Sequence, residues 1–203
     1  PGLGGISPSQ GDYFQATRGG GHGDYRMIVL APSTVQEMYD LTCLAFNLAD
    51  KYRNPAMILG DALIGQMKEP LVRKKCEPME LPPKDWALTG AQGRNPNRLK
   101  SLYLQDGELS EHNWKLHQKY ERMKKEEVRF ESFRLEDAQL VVAAFGSMAR
   151  VSKTSVELAR DEGMKVGLLR PITLFPFPGE ALYNVSQRVK TFLTVELNTG
   201  QMV

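Results

Sequence analysis

At 203 residues the chain is larger than one typical domain of about 100 to 150 residues and smaller than two generous ones. Its 41% hydrophobic and 25% charged residues exclude wholesale disorder, a collagen-like rod and a coiled coil. The 26 basic residues against 24 acidic ones leave a net charge of +2, too small a surplus to draw a phosphate backbone, so nucleic acid is not an expected partner.

Residues 1–26 open in PGLGG and carry the cluster Gly19-Gly20-Gly21 with Gly23, a composition that predicts a long irregular loop. An opening of this kind without a methionine, and an ending at Asn198-Thr199-Gly200 without a polar tail, read as a piece of a longer polypeptide lacking material at both ends. Met27 to Leu30 reads as a short buried strand stopped by Ala31-Pro32. Ser33 or Thr34 can cap a helix, with Gln36 or Glu37 closing a capping box. Val35, Met38, Leu41, Leu44, Ala45, Leu48 and Tyr52 then recur at spacings of three and four, so the helix should reach about Arg53 with one buried stripe. Asn54-Pro55 stops it, and Ala56 to Leu59 is a second buried strand. Strand, helix and strand with short joints are the unit of a parallel sheet.

From Lys68 to about Arg98, five prolines and two glycines dissolve the pattern. More than half of residues 111–131 are charged, which predicts a largely solvated helix with a thin contact face bridging two units. The α/β rhythm restarts at the strand Gln139 to Phe145, the turn Gly146-Ser147 and a helix from Met148 to Asp161. Val166 to Leu169, a short helix near Gly179 to Arg188 and Thr191 to Glu196 complete a second small parallel sheet. The fold class is therefore α/β, with two parallel-sheet units (1–67 and 137–203) joined by a connector (68–136). The apolar runs are far shorter than the roughly 18 residues of a membrane span and the first residues lack a signal-peptide pattern, so a soluble, cytoplasmic chain without a membrane partner is expected.

The chemistry-bearing residues are few. Cys43 and Cys76 are the only cysteines and no CxxC occurs, so a disulfide scaffold, a cysteine zinc site and a self-contained iron–sulfur cluster are not expected. Cys43 falls on the buried helix stripe as an inert thiol, and Cys76 in the connector. No metal site is expected: His112 and His117 are five apart and read as linker-packed. His22 shares a flexible loop with Arg18 and Asp24, either as a titratable site or as plain surface. Gly146-Ser147 opens a helix after a strand but lacks a phosphate-loop pattern. Glu37 reads as a capping-box residue before a general base. Asp61, at a strand's carboxyl end, reads equally as a helix cap or a ligand-facing group. Leu174, Phe175 and Phe177, spaced by prolines, should form a stiff apolar ledge at a domain or subunit interface.

Three segments taken together resemble the α subunit of the 2-oxoacid:ferredoxin oxidoreductases: PGLGGISPSQGDYFQATRGGGHGDYR, APSTVQEMYDLTCLAFNLADKYRNPAMILGD, and RPITLFPFP with VELNTGQMV. The stretch through GHGDYR most resembles the 2-oxoisovalerate (3-methyl-2-oxobutanoate) branch. The resemblance implies that the first unit is part of a thiamine-diphosphate pyrimidine-binding domain and the last a transketolase C-terminal-like domain. It implies oxidative decarboxylation of a 2-oxoacid, with 2-oxoisovalerate the expected substrate, to an acyl-coenzyme A with reduction of ferredoxin. The implied partners are a thiamine-binding β subunit, an iron–sulfur ferredoxin-like subunit and a γ subunit. Thiamine diphosphate with magnesium and the clusters would be held mainly by those subunits, none by this chain alone, and the isolated chain would be inactive. The glutamate that activates the aminopyrimidine would lie upstream of Pro1. The loop residues Ser7, Gln10, Asp12, Arg18 and His22 are expected to face the substrate and cofactor. A reading from another class is a non-catalytic α/β interaction module presenting the Pro/Phe ledge.

Overall fold

The computed structural model describes residues 7–19 and 21–203; the opening PGLGGI and Gly20 of the glycine cluster lie outside the described residues. The chain runs α1 (Tyr13–Arg18), β1 (Ile28–Leu30), α2 (Val35–Tyr52), β2 (Ala56–Ile58) and α3 (Ala62–Gln66). Residues 67–107 carry no helix or strand. Then follow α4 (Glu108–Glu126), β3 (Phe130–Phe133), β4 (Leu140–Ala144), α5 (Gly146–Asp161), β5 (Val166–Pro171), β6 (Thr173–Phe175), α6 (Gly179–Ser186) and β7 (Thr191–Val195). The α/β class stands.

In the first sheet β1 pairs in parallel with β2, Ile28 opposite Ala56 and Leu30 opposite Ile58. All three β1 side chains are buried, as a continuous apolar run in a covered parallel sheet requires. The helix α2 lays Leu41, Ala45, Leu48 and Tyr52 into the same core. Its start is fixed as the sequence predicts. Thr34 Oγ1 accepts the Glu37 N–H at 3.0 Å, and the Glu37 carboxylate reaches back to accept the Ser33 N–H at 2.8 Å.

The second sheet has the order β3-β5-β4-β7. Strands β5 and β7 flank β4 in parallel, while β3, from within the expected connector, joins β5 antiparallel, so this sheet is mixed rather than wholly parallel. Gly167 on β5 is required by a close crossing: a Cβ there would sit 2.7 Å from the Arg134 carbonyl oxygen and 2.8 Å from Leu135 Cδ2.

Two expectations meet the structure differently. The segment RPITLFPFP, expected at a domain or subunit interface, lies at the contact between the two units and faces inward. Beyond Pro171 the chain crosses into the first sheet, where β6 pairs antiparallel with β1. Leu174 and Phe175 are only 1% and 9% exposed, and Phe177 is half-buried. Their apolar surface fastens the C-terminal block to the N-terminal sheet, which leaves the interaction-module reading without the surface it needs. Second, Cys43 and Cys76 are not separate thiols: they form a disulfide with a Cα–Cα distance of 5.6 Å.

The charged helix is largely solvated with a thin contact face, as expected, but it does not bridge the two cores through its buried residues: only Tyr120 and Met123 of α4 are buried, and both join the first core. Beside them Glu127 is buried yet ionised. Burial pushes its carboxyl up, but hydrogen bonds from Lys51, Tyr52 and Arg129 outweigh it and hold the group below the usual carboxylate range. The same cluster pushes Tyr52 up to about 12, by burial first and then by the neighbouring Glu126 and Glu127.

Candidate functional site

The carboxyl ends of β2, β4 and β7 meet at one place, where ligands collect in parallel sheets. The residues just past β2 are Leu59, Gly60 and Asp61; those past β4 are Phe145, Gly146 and Ser147. Leu59, Gly60, Asp61, Phe145 and Gly146, together with Ser9, Gln10 and Asp12 of the N-terminal loop, enclose a cleft of about 30 Å³. That volume holds a water molecule.

Of its two readings, the structure gives Asp61 the helix cap, and it also gives the carboxylate a partner across the cleft. One carboxylate oxygen caps α3, accepting from the Leu63 and Ile64 N–H groups at 2.9 and 3.3 Å. The other accepts the Ser147 hydroxyl, which is fully buried at the first turn of α5. The end of β2 is thereby tied to the start of α5. Gly146 permits that turn: its φ is +57°, and a Cβ would stand 3.1 Å from Gln10 Nε2.

Gln10 is the keystone. Its side chain, 5% exposed, donates to the Phe145 carbonyl at 2.9 Å and accepts the Leu197 N–H at 3.0 Å. Its backbone N–H donates to Leu197 O at 2.9 Å, and Asn198 Nδ2 donates to the Gln10 carbonyl at 3.1 Å. Gln201 continues the weave, accepting the Phe14 N–H at 2.9 Å and donating to Gly11 O at 2.8 Å. The segments SPSQGDYF and ELNTGQMV, 187 positions apart at Gln10 and Leu197, thus form one polar joint. Tyr13 lies beneath it, its phenol pushed up to about 12 by burial and by Glu196.

A second polar cluster spans the two sheets on the α2 side. Arg170 at the end of β5 is 4% exposed; its guanidinium donates to both Glu37 carboxylate oxygens and, at 2.9 Å, to Glu131. Lys153 adds a 2.5 Å contact to Glu131, and Arg150 pairs with Glu69 at 2.5 Å. Arg170 Nε is buried without a partner. Burial pushes Glu37 up, but the Arg170 and Ser33 contacts outweigh it and keep the carboxyl below its ordinary range. Glu37 is therefore a capping residue and a clasp, with its charge fully committed.

Of the five loop residues expected to face a ligand, the structure brings Gln10 and Asp12 to the cleft. Ser7, Arg18 and His22 are exposed, and Arg18 lies over the Phe14 ring at 3.9 Å. His112 stacks on Tyr103 and His117 meets the edge of Trp114, as linker-packed histidines do. Sequence reasoning missed Leu197 and Asn198 as partners of Gln10, and Arg170 as an ion-pair centre. A wider concavity of about 730 Å³ against α4, beside Trp114 and Lys124, shares no residue with the cleft and is open to solvent. Among the described residues, no group of three or more His, Cys, Asp or Glu side chains is placed to hold a metal ion, and no helix is long and apolar enough to cross a membrane.

An α/β chain that gathers its polar loops at the carboxyl ends of parallel strands has the architecture of an enzyme's binding domain. Residues 3–131 match the family model of the pyruvate flavodoxin/ferredoxin oxidoreductase thiamine-diphosphate-binding domain, and residues 138–203 match core domain II of pyruvate:ferredoxin oxidoreductase. The chain belongs to the 2-oxoacid:ferredoxin oxidoreductase family. It is 50% identical over its whole length to the ketoisovalerate oxidoreductase subunit VorB of Methanothermobacter marburgensis, of which it spans 57%. It is 35% identical to the 2-oxoglutarate synthase subunit KorA of Methanocaldococcus jannaschii, with 96% of this chain and 58% of that protein aligned. Its fold also matches a 2-oxoglutarate:ferredoxin oxidoreductase from Magnetococcus marinus, solved with 2-oxoglutarate, coenzyme A and succinyl-CoA bound. The TM-score is 0.72 at 21% identity, covering 96% of this chain and 39% of that one. The chain spans little more than half the length of the curated relatives it matches.

The strand-end cleft on its own is too small to take thiamine diphosphate. It has water-sized volume, and the carboxylate at its edge is occupied by Ser147 and the α3 cap.

Proposed function

We propose that this chain is part of the α subunit of a 2-oxoacid:ferredoxin oxidoreductase that converts 2-oxoisovalerate to the branched acyl-coenzyme A and passes the electrons to ferredoxin. The observation that carries the reading is the 50% identity, over the chain's entire length, to a ketoisovalerate oxidoreductase subunit. Thiamine diphosphate, its magnesium ion and the iron–sulfur clusters sit mainly on partner subunits: a thiamine-binding β subunit, a ferredoxin-like subunit and a γ subunit. The two cysteines, joined to each other, agree with clusters held elsewhere. A cytoplasmic location goes with this reading. The units 1–67 and 137–203, with the connector between them, act as the scaffold.

In the assembly the chain's own contribution is positional and electrostatic. The joint around Gln10 anchors the N-terminal loop at Gln10 and Gly11, and Arg18 and His22 further along the chain are exposed. A guanidinium at that place attracts the carboxylate of an anionic 2-oxoacid, and the His22 imidazole adds a second hydrogen-bonding group on the same loop. Ser7 and Asp12 complete the polar rim.

Purified alone and given 2-oxoisovalerate, thiamine diphosphate, magnesium and coenzyme A, the chain is expected to leave a viologen dye oxidised. Addition of the partner subunits should start dye reduction. Reduction by the chain alone would overturn the assignment of the cofactors to its partners.

A further inference from the structure

Residues 69–86 run beside α2 in the direction of the helix and are bound to it along its length. The Glu69 carboxylate accepts the Val35 N–H at 2.9 Å. Gln36 accepts the Val72 N–H at 2.9 Å and donates to the Val72 carbonyl at 3.2 Å. Tyr39 donates to Lys74 O at 2.7 Å, Asn47 to Glu77 O at 3.2 Å, and Lys84 pairs with Asp50 at 2.7 Å. Beyond the Glu69 contact these bonds are exposed to water, where each contributes little. Along the strap, only Met79 packs against the core. The Cys43–Cys76 bond at the middle is the covalent attachment between the strap and α2.

That bond is chemically accessible. Cys76 is exposed, so its sulfur is open to an attacking thiolate. Cys43 is half-buried on α2, within a cleft of about 440 Å³ that it shares with Cys76, Tyr39 and Asn47. The span it closes, 33 residues in sequence, contains β2, Asp61 and α3. The strap leaves α3 directly and so reaches the edge of the strand-end cleft.

We propose that Cys43–Cys76 is a reversible redox modification site, and that its reduction releases the strap from α2 and loosens the Asp61 end of the cleft. The reductant is a dithiol. Its thiolate attacks Sγ of Cys76, the Cys43–Cys76 bond breaks, and Cys43 leaves as a thiolate that takes up a proton. The second thiol of the reductant then resolves the mixed disulfide. Two electrons and two protons pass to the protein, giving two thiols, and the reductant becomes a cyclic disulfide.

The test uses the purified protein after air oxidation. N-ethylmaleimide labelling read by intact mass should give no adduct before dithiothreitol treatment and two adducts after it. Hydrogen exchange should then speed up by on the order of tenfold or more for the amides of residues 69–80, and rise over Asp61–Gln66, both returning on reoxidation. A Cys43→Ser, Cys76→Ser double variant should exchange like the reduced protein with or without dithiothreitol. Labelling of both thiols before reduction, or exchange unchanged by reduction, overturns the proposal. Because the labelling and exchange comparison is made on the unmodified sequence, it decides the matter even if the double variant does not fold.

Discussion

Replacing Arg170 by methionine should lower the folding stability by about 3 kcal/mol, among the largest effects of a single substitution in this chain. The methionine side chain fills most of the volume of the arginine stem, so the loss is electrostatic. Glu37 and Glu131, whose side chains are about 30% exposed, would keep their partial burial and lose the cation between them. Their exposure, and the Lys153 contact that remains on Glu131, set the estimate at the low end for a broken buried pair. The pH dependence carries the same signature. Burial pushes both carboxyls up, but in Glu37 the Arg170 and Ser33 contacts, and in Glu131 the Lys153 and Arg170 contacts, outweigh it and leave both below their ordinary range. Their folded values thus lie below their unfolded values, so the unfolded state binds more protons through the carboxylate range. The stability they contribute is complete above the unfolded value, about 4.3, and is lost as pH falls through the folded values. In the methionine variant the cation's pull is gone while the burial stays, so its deficit relative to the native chain should shrink between pH 7 and pH 4. Thermal melts of both proteins at the two pH values check this; equal melting temperatures at pH 7 would contradict it.

Gln10→Ala should cost about 2 to 4 kcal/mol, since it leaves two backbone groups, the Phe145 carbonyl and the Leu197 N–H, without their partner in a buried joint. Gln10→Glu separates the two. A carboxylate still accepts the Leu197 N–H but cannot donate to Phe145 O, so it should lose stability at neutral pH and regain part of it on acidification, when a protonated carboxyl can donate. Chemical denaturation of the three proteins, with hydrogen exchange at Leu197, measures both. An alanine variant as stable as the native chain, with unchanged protection of Leu197, would show that the joint is not held by Gln10.

Much of the architecture could be read from the chain because it is written in local patterns. The 3.6-residue stripe of α2, its Thr34 and Glu37 box, and the apolar runs of β1, β2, β4 and β7 all declare themselves within a few residues. β3 does not, because Phe130–Phe133 alternates polar and apolar side chains at a sheet edge inside a charged stretch. β6 was hidden by its prolines, which mark stiffness but not which side of the chain is covered. Asp61 and Ser147 were each visible as helix-start residues, yet nothing local says that they bond to one another across 86 positions. The same holds for Arg170, whose partner Glu37 lies 133 positions away, and for the two cysteines, which sit in unlike surroundings until the strap folds back on α2. Gln10 looked like a ligand-facing loop residue because a polar side chain among glycines reads as exposed; its burial depends on the C-terminal segment.

The most direct measurement of the functional account is the substrate preference of the complete complex containing this chain, supplied with thiamine diphosphate, magnesium, coenzyme A and a viologen dye. The specificity constant for 2-oxoisovalerate should exceed that for 2-oxoglutarate by on the order of tenfold or more, because a site that takes a branched apolar side chain leaves a second carboxylate unpaired. Equal constants, or a preference for 2-oxoglutarate, would contradict it.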